Sequence, residues 1–162
     1  MAAGWDSAVS SASRVAREAV GAVVRSVETS QALFGRKAAA ISDIWALVNE
    51  CAEPDWDSAG AEPVGRLAAF RAVDVIRALP PAVSLPEVGG EFDGSVSLDW
   101  IVSRNQLFSL SVGVGDRLAY AWLDGSNRGH GVDRFDGATI PARILQGIRE
   151  ILKHGDAPVG SS

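Results

Sequence analysis

The stretch Ser95-Val96-Ser97-Leu98-Asp99-Trp100-Ile101-Val102 decides the fold. Val96, Leu98, Trp100 and Val102 alternate with Ser95, Ser97 and Asp99, the period of a strand with one face buried. Arg104-Asn105 turns the chain, and Phe108, Leu110 and Val112 then alternate with Ser109 and Ser111. Residues 113–116 make a second hairpin loop, and Leu118, Tyr120 and Trp122 alternate over 117–124. Upstream, Val83 and Leu85 open a short strand, with Gly89-Gly90 and Asp93-Gly94 as turn signals. Strands joined by short turns predict an antiparallel β-meander of three to five strands with one apolar face.

That face needs a cover, and the segment 63–79 is suited to it. Pro63 fits a first helical position, where its missing N–H is no loss, and Pro80-Pro81 ends the helix. Its charged residues, Arg66, Arg71, Asp74 and Arg77, fall within an arc of about 140° at ~100° per residue. The rest of the circumference is apolar, so a single narrow wet edge is expected. A last helix over 141–154 gathers Ile144, Leu145, Ile148, Ile151 and Leu152 on one side and stops at Gly155. Between sheet and last helix, residues 124–137 read as a polar, glycine-rich loop.

The N-terminal third reads as two helices. Residues 6–34 carry a thin Ala/Val stripe, Val9, Ala12, Ala16, Val20, Val23, Val27 and Phe34, which buries little area per turn and wants a partner. Phe34-Gly35-Arg36-Lys37 reads as a break, and Ser42 as the cap of a second helix over 42–52. The expected organisation is an α+β fold: a helical extension over 1–40, an α+β domain over 41–155 and a disordered tail over 156–162.

Composition narrows the function classes. The chain has 162 residues, 47% of them hydrophobic and 22% charged, within the range of one folded domain. Its net charge of −5 gives no reason to bind nucleic acid or an anionic membrane. A lone cysteine, Cys51, permits no internal disulfide and suits a reducing cytoplasm. No signal peptide and no membrane-spanning run is read from the sequence. Cys51 itself reads as a small buried apolar side chain, with no neighbouring base to activate it.

Motifs for chemistry are weak. Asp55, Asp57, Gly60 and Glu62 resemble a calcium loop, but Ala59 stands at its fifth position and Arg66 where the bidentate glutamate belongs. The simpler reading of that segment is structural: Trp56 inserts into the core, Asp57 caps a turn, and Gly60 takes a conformation closed to other residues. The glycines of 113–116 and 129–131 do not form a phosphate cradle. His130 and His154 are the only histidines, too few with one cysteine for a zinc site. His130 is the one histidine placed for catalysis, and no nucleophile motif accompanies it. Asp99 points to the polar face of its strand, beside Ser97, Ser109 and Ser111, and that face also carries Ile101 and Leu107. Exposure of those two would mark a partner surface.

The segments Asp55-Trp56-Asp57-Ser58-Ala59-Gly60-Ala61-Glu62-Pro63, Leu85-Pro86-Glu87-Val88, Gly94-Ser95-Val96-Ser97-Leu98-Asp99-Trp100 and Leu118-Ala119-Tyr120-Ala121-Trp122 occur in that order. Over residues 50–152 the chain thereby resembles a widespread set of small uncharacterised bacterial proteins. Their pattern runs (N/D)-W-D-G-x-G-A-x-P, then P-x-(I/V), then D-G-x-(I/V)-x-L-E-W. Ser58 stands where the pattern has glycine, and Asp99 where it has glutamate. The resemblance implies a bacterial, accessory-gene setting and assigns no catalytic residue.

The expected function is a non-enzymatic protein-binding module of the bacterial cytoplasm, antitoxin-, immunity- or chaperone-like, with no cofactor. Its partner would be another protein, the product of a neighbouring gene, or a second copy docked through the N-terminal helix. The alternative is a small enzyme or ligand-binding domain with a pocket between the 53–63 and 124–137 segments, using Trp56, Asp57, Asp99 and His130.

Overall fold

A computed structural model describes residues 5–155, and side chains from residue 11 onward with the exception of residue 12. The expected tail over 156–162 lies outside the described residues, as do the side chains of Val9 and Ala12. The chain divides into two units, Met1–Arg36 and Lys37–Ser162.

Helix α1 (Trp5–Glu50) spans the boundary between the two units without interruption. The break expected at Phe34-Gly35-Arg36-Lys37 is absent. A single helical glycine costs only about 1 kcal/mol against alanine, and Arg36, Lys37 and Ala38 to Ala40 are all strong helix formers. Ser42 therefore lies inside a helix and caps nothing. In the first unit Val15, Val20, Val23, Val24, Val27 and Phe34 are all exposed, Phe34 by 77%.

The second unit is an α+β fold. It holds the C-terminal part of α1, then α2 (Arg66–Ala78), β1 (Glu87–Gly90), β2 (Val96–Ser103), β3 (Gln106–Val112), β4 (Arg117–Asp124), β5 (Asn127–Arg134) and α3 (Ala142–Gly155). The strands form one antiparallel meander in the order β1-β2-β3-β4-β5. The inner face carries Val96, Leu98, Trp100, Phe108, Leu110, Val112 and Leu118, all buried. Helices α2 and α3 both lie on β2 and β3, and α3 reaches β4. Ile144, Ile148 and Ile151 bury the inner side of α3, each side chain worth about 1.5–3 kcal/mol of apolar burial. Trp100 anchors the strand to the preceding loop, its Nε1 donating to the Ser84 carbonyl at 2.7 Å. Lys37 Nζ donates to the Arg77 and Leu79 carbonyls at 2.9 and 2.6 Å, satisfying the open end of α2.

Several expectations need correction. Helix α2 starts at Arg66, not Pro63, because the preceding amides are engaged elsewhere: Val64 N–H donates to the Cys51 carbonyl and Gly65 N–H to Gly94. Its wet edge is wider than four charges, since Leu67 and Phe70 are each 53% exposed, Phe70 set edge-on against Trp45 at 4.8 Å. The first strand lies at 87–90 and not at Val83 and Leu85, so Gly89 and Gly90 are strand residues. A Cβ on Gly89 would sit 2.7 Å from Ser97 Oγ, and one on Gly90 3.0 Å from Val64, so a side chain at either position would have to displace a neighbour.

The largest correction is β5, which occupies most of the expected 124–137 loop. Its inward positions are Gly129 and Gly131, and the rings of Trp122 and Tyr120 on β4 lie over them, 2.7 and 2.5 Å from where a Cβ would be. Aromatic cover supplies the packing that the glycines lack. The strand enters through a two-residue turn, Gly125-Ser126, with Gly125 at φ 63°, between the paired Asp124 and Asn127.

Candidate functional site

The outer face of the sheet is the surface left uncovered by α2 and α3. Strand register sorts it into straight rows. One row is Ile101, Leu107, Leu123 and Arg128; the next is Glu87, Asp99, Ser109, Ala121 and His130; the third is Gly89, Ser97, Ser111, Ala119 and Val132.

The two halves of this face differ. Toward β1 and β2 the polar groups bond to one another. Asp99 accepts from Ser97 Oγ at 3.0 Å through Oδ2 and from Ser109 Oγ through Oδ1, while Glu91 accepts from Ser111 Oγ at 2.7 Å. Toward β4 the face is low and apolar, Ala119, Ala121 and Leu123, continued by Leu107 and Ile101, and β5 rims it with Arg128, His130, Val132 and Arg134. Ile101 is 53% exposed and Val132 60%. Leu107, Ala121, Leu123, Arg128 and His130 line a depression of about 610 Å³ there. The two greasy side chains expected on this face are present, Ile101 exposed and Leu107 half-buried.

The residues singled out from sequence do not converge. Trp56 is half-buried, packs beside Gly90 on the inner side of the sheet, and donates from Nε1 to the Glu62 carbonyl at 2.9 Å. Asp57 Oδ1 accepts from the Ala59 and Ala61 amides at 2.9 and 3.0 Å, so its carboxylate closes the turn. Those amides hold its carboxyl below the ordinary carboxylate value. Asp99 and His130 share the outer face and one row, but three strand spacings separate them, about 14 Å. The 53–63 segment docks at the β1 end, where Glu62 N–H donates to the Phe92 carbonyl at 2.8 Å. The 124–137 segment forms the opposite edge, so no single pocket is walled by both.

The structural reading of the 53–63 segment accounts for its composition. Asp55 and Ser58 have φ of 63° and 59°, and Gly60 91°, three left-handed residues within one tight loop. Asp55 Oδ1 accepts from Gly60 N–H at 2.7 Å. Asp55 and Asp57, which resemble calcium ligands, are spent on backbone amides, and no group of His, Cys, Asp or Glu suited to a metal ion occurs among the described residues.

A second concavity, unforeseen from sequence, lies between α3 and the start of β5. About 310 Å³ in volume, it is lined by Trp122, Asp124, Arg128, Glu150, Ile151 and His154. His154 Nδ1 lies 2.9 Å from Asp124 Oδ2, and Gln146 Nε2 donates to Glu150 Oε1 at 2.8 Å. The lining holds no serine, threonine or cysteine, so the His–Asp pair has no nucleophile to activate. Cys51 is buried, and desolvation raises its thiol above the ordinary value, the state of an inert side chain. No helix among the described residues is long and apolar enough to cross a membrane.

Comparison of the chain with protein-family models, with curated proteins and with solved structures finds no match.

Proposed function

We propose that this protein is a non-enzymatic binding module for another protein, docked on the outer face of the sheet. One observation carries the reading: the row Ile101, Leu107, Leu123 is apolar and lies on the open face of the sheet, next to polar groups of β2 and β3, Ser97, Asp99, Ser109 and Ser111, that are already hydrogen-bonded. Such a face loses little by desolvation and gains from apolar burial, which is what a protein partner supplies. The concavities lined by His154 and His130 hold no serine, threonine or cysteine among the described residues, and this and the resemblance to small bacterial proteins support an antitoxin-, immunity- or chaperone-like role in the bacterial cytoplasm. The partner is then the product of a neighbouring gene.

The test is co-purification from the native host with the wild-type chain and with Ile101→Asp. A stoichiometric partner retained by the first and weakened about tenfold or more by the second supports the reading. A partner held equally by both, or none at all, overturns it.

A second reading is favoured by the first unit alone. Val20, Val23, Val27 and Phe34 recur at spacings suited to a coiled-coil seam and are exposed. A homodimer through this helix would cover them. Sedimentation of the full chain against one beginning at Lys37 separates the two readings, since only the helix-borne dimer is lost in the shorter chain.

A further inference from the structure

We infer that β5 is a docking edge, to which an extended acidic segment of a partner protein adds as a further strand of the five-stranded sheet. The inference rests on the protein-binding reading above and names the mode and chemistry of the partner.

The backbone comes first. β5 ends the sheet and pairs with a strand, β4, on one side alone. In a two-residue hairpin the closing pair, here Asp124 and Asn127, exchanges both ladder bonds, and bonding then alternates. Phe135 N–H donates to the Asp116 carbonyl at 2.7 Å, which keeps the same parity beyond the strand. Residues 127, 129, 131 and 133 therefore bond to β4, and Arg128, His130 and Val132 direct N–H and C=O outward. Three protections of an edge, shortness, proline and a bulge, are missing from this stretch. β5 is eight residues long, has no proline, and pairs without a register shift, whereas the opposite edge, β1, has four residues. Asp133 Oδ1 closes the open run by accepting from Arg134 N–H at 2.9 Å. Gly129 and Gly131 bring no side chain to hold an incoming backbone away.

Charge selects the occupant. The outer side chains of this edge are Arg128, His130, Val132 and Arg134, with Arg117 paired to Arg134 in register. Arg134 is already held by Asp116 at 2.8 Å, while Arg128 and Arg117 have no acidic partner among the described residues. A cationic edge on a chain of net charge −5 is complementary to an acidic segment. A second copy would bring the same cationic strand against it, which like-charge pairing disfavours. Concavities flank the strand on both sides, the Trp122–Ile151 cleft inside and the Leu107–Leu123 depression outside. Main-chain bonds would hold the segment, and these two hollows would take its alternate side chains.

A phage-displayed random dodecapeptide library panned against the full-length protein tests this. The expected winners carry Asp or Glu at alternate positions. Each should protect the Arg128, His130 and Val132 amides from hydrogen exchange and bind about tenfold or more weakly to Arg128→Glu and to His130→Pro. His130→Pro removes an outward N–H and no ladder bond; the exchange readout on the wild type stands even if that variant fails to fold. No enriched peptide, winners without acids, or binding that leaves those amides unprotected overturns the proposal. So does a free protein that sediments as a dimer with the same amides already protected, the mark of a second copy. Winners that ignore His130→Pro but are lost to Ile101→Asp sink the edge and leave the open-face reading standing; the reverse result sinks the face alone.

Discussion

At the residue scale the 53–63 loop shows how a functional-looking motif can be wholly structural. Ser58 holds φ 59°, a left-handed conformation costing a non-glycine residue roughly 1–2 kcal/mol. Glycine relieves that cost and adds about 0.5–1 kcal/mol of unfolded-chain entropy. Ser58→Gly is therefore expected to raise the denaturant midpoint slightly, by about 0.5 kcal/mol of stability; a lower midpoint would contradict the strain. Asp57 makes a pH prediction. Its folded carboxyl titrates below the ordinary 3.8 because the Ala61 and Ala59 amides favour the charged form. The unfolded chain binds the proton first as pH falls, so this contribution is complete above the unfolded value and vanishes as pH drops through the folded one. Asp57→Asn, which keeps an acceptor but not the titration, should show a shallower loss of stability between pH 5 and 2 in thermal melts (about the span over which a lowered Asp acts). The identities of Asp57 and Gly60 were readable as turn chemistry. The left-handed state of Ser58 was not, because serine is no marker of positive φ.

At the element scale, glycine decides more than composition suggests. Gly147 faces the sheet from α3, and a Cβ there would lie 2.5 Å from the fully buried Phe108 ring. Gly147→Ala gains about 1 kcal/mol of helix propensity, yet overpacking a closed core costs typically ~1–3 kcal/mol. A net fall in the unfolding midpoint is expected. Gly35→Ala, with nothing within 4 Å of the new methyl, should leave the midpoint no lower. Equal effects from both would remove the steric account. The same logic explains the missed strand. The run Asn127-Arg128-Gly129-His130-Gly131-Val132 has a period of two, but its inward residues are glycines, so hydrophobic alternation is invisible there. The signals available were the Gly125-Ser126 hairpin pair and the glycine spacing itself, both weak until Trp122 and Tyr120 are seen above them.

At the scale of the whole molecule, the chain divides at Arg36 and Lys37, although helix α1 does not. Among the described residues, all of the buried apolar core belongs to the unit that starts at Lys37, from Ala40 to Ile151. A chain comprising residues 37–162 is thus expected to melt cooperatively and within a few degrees of the full chain, since no core residue among those described is lost. Loss of a cooperative transition on removing 1–36 would show that the first unit carries part of the stability. Lys37 is needed at the new terminus, because its ammonium group satisfies the Arg77 and Leu79 carbonyls.

The amino-acid sequence by itself determined the α+β class and the central strands: alternation over 95–124 sets them and their inner face, and the apolar circumference read over 63–79 and 141–154 sets the covering helices. Those are local periodicities, and backbone geometry converts them directly into faces. Tertiary structure alone decided the rest. Rows such as Ile101, Leu107, Leu123 and Arg128 come from register across four strands, and the strand at 127–134 from aromatic rings donated by its neighbour. The separation of Trp56 from His130 follows from their placement at opposite edges of one sheet. Each depends on contacts between residues distant in sequence, which no local period encodes.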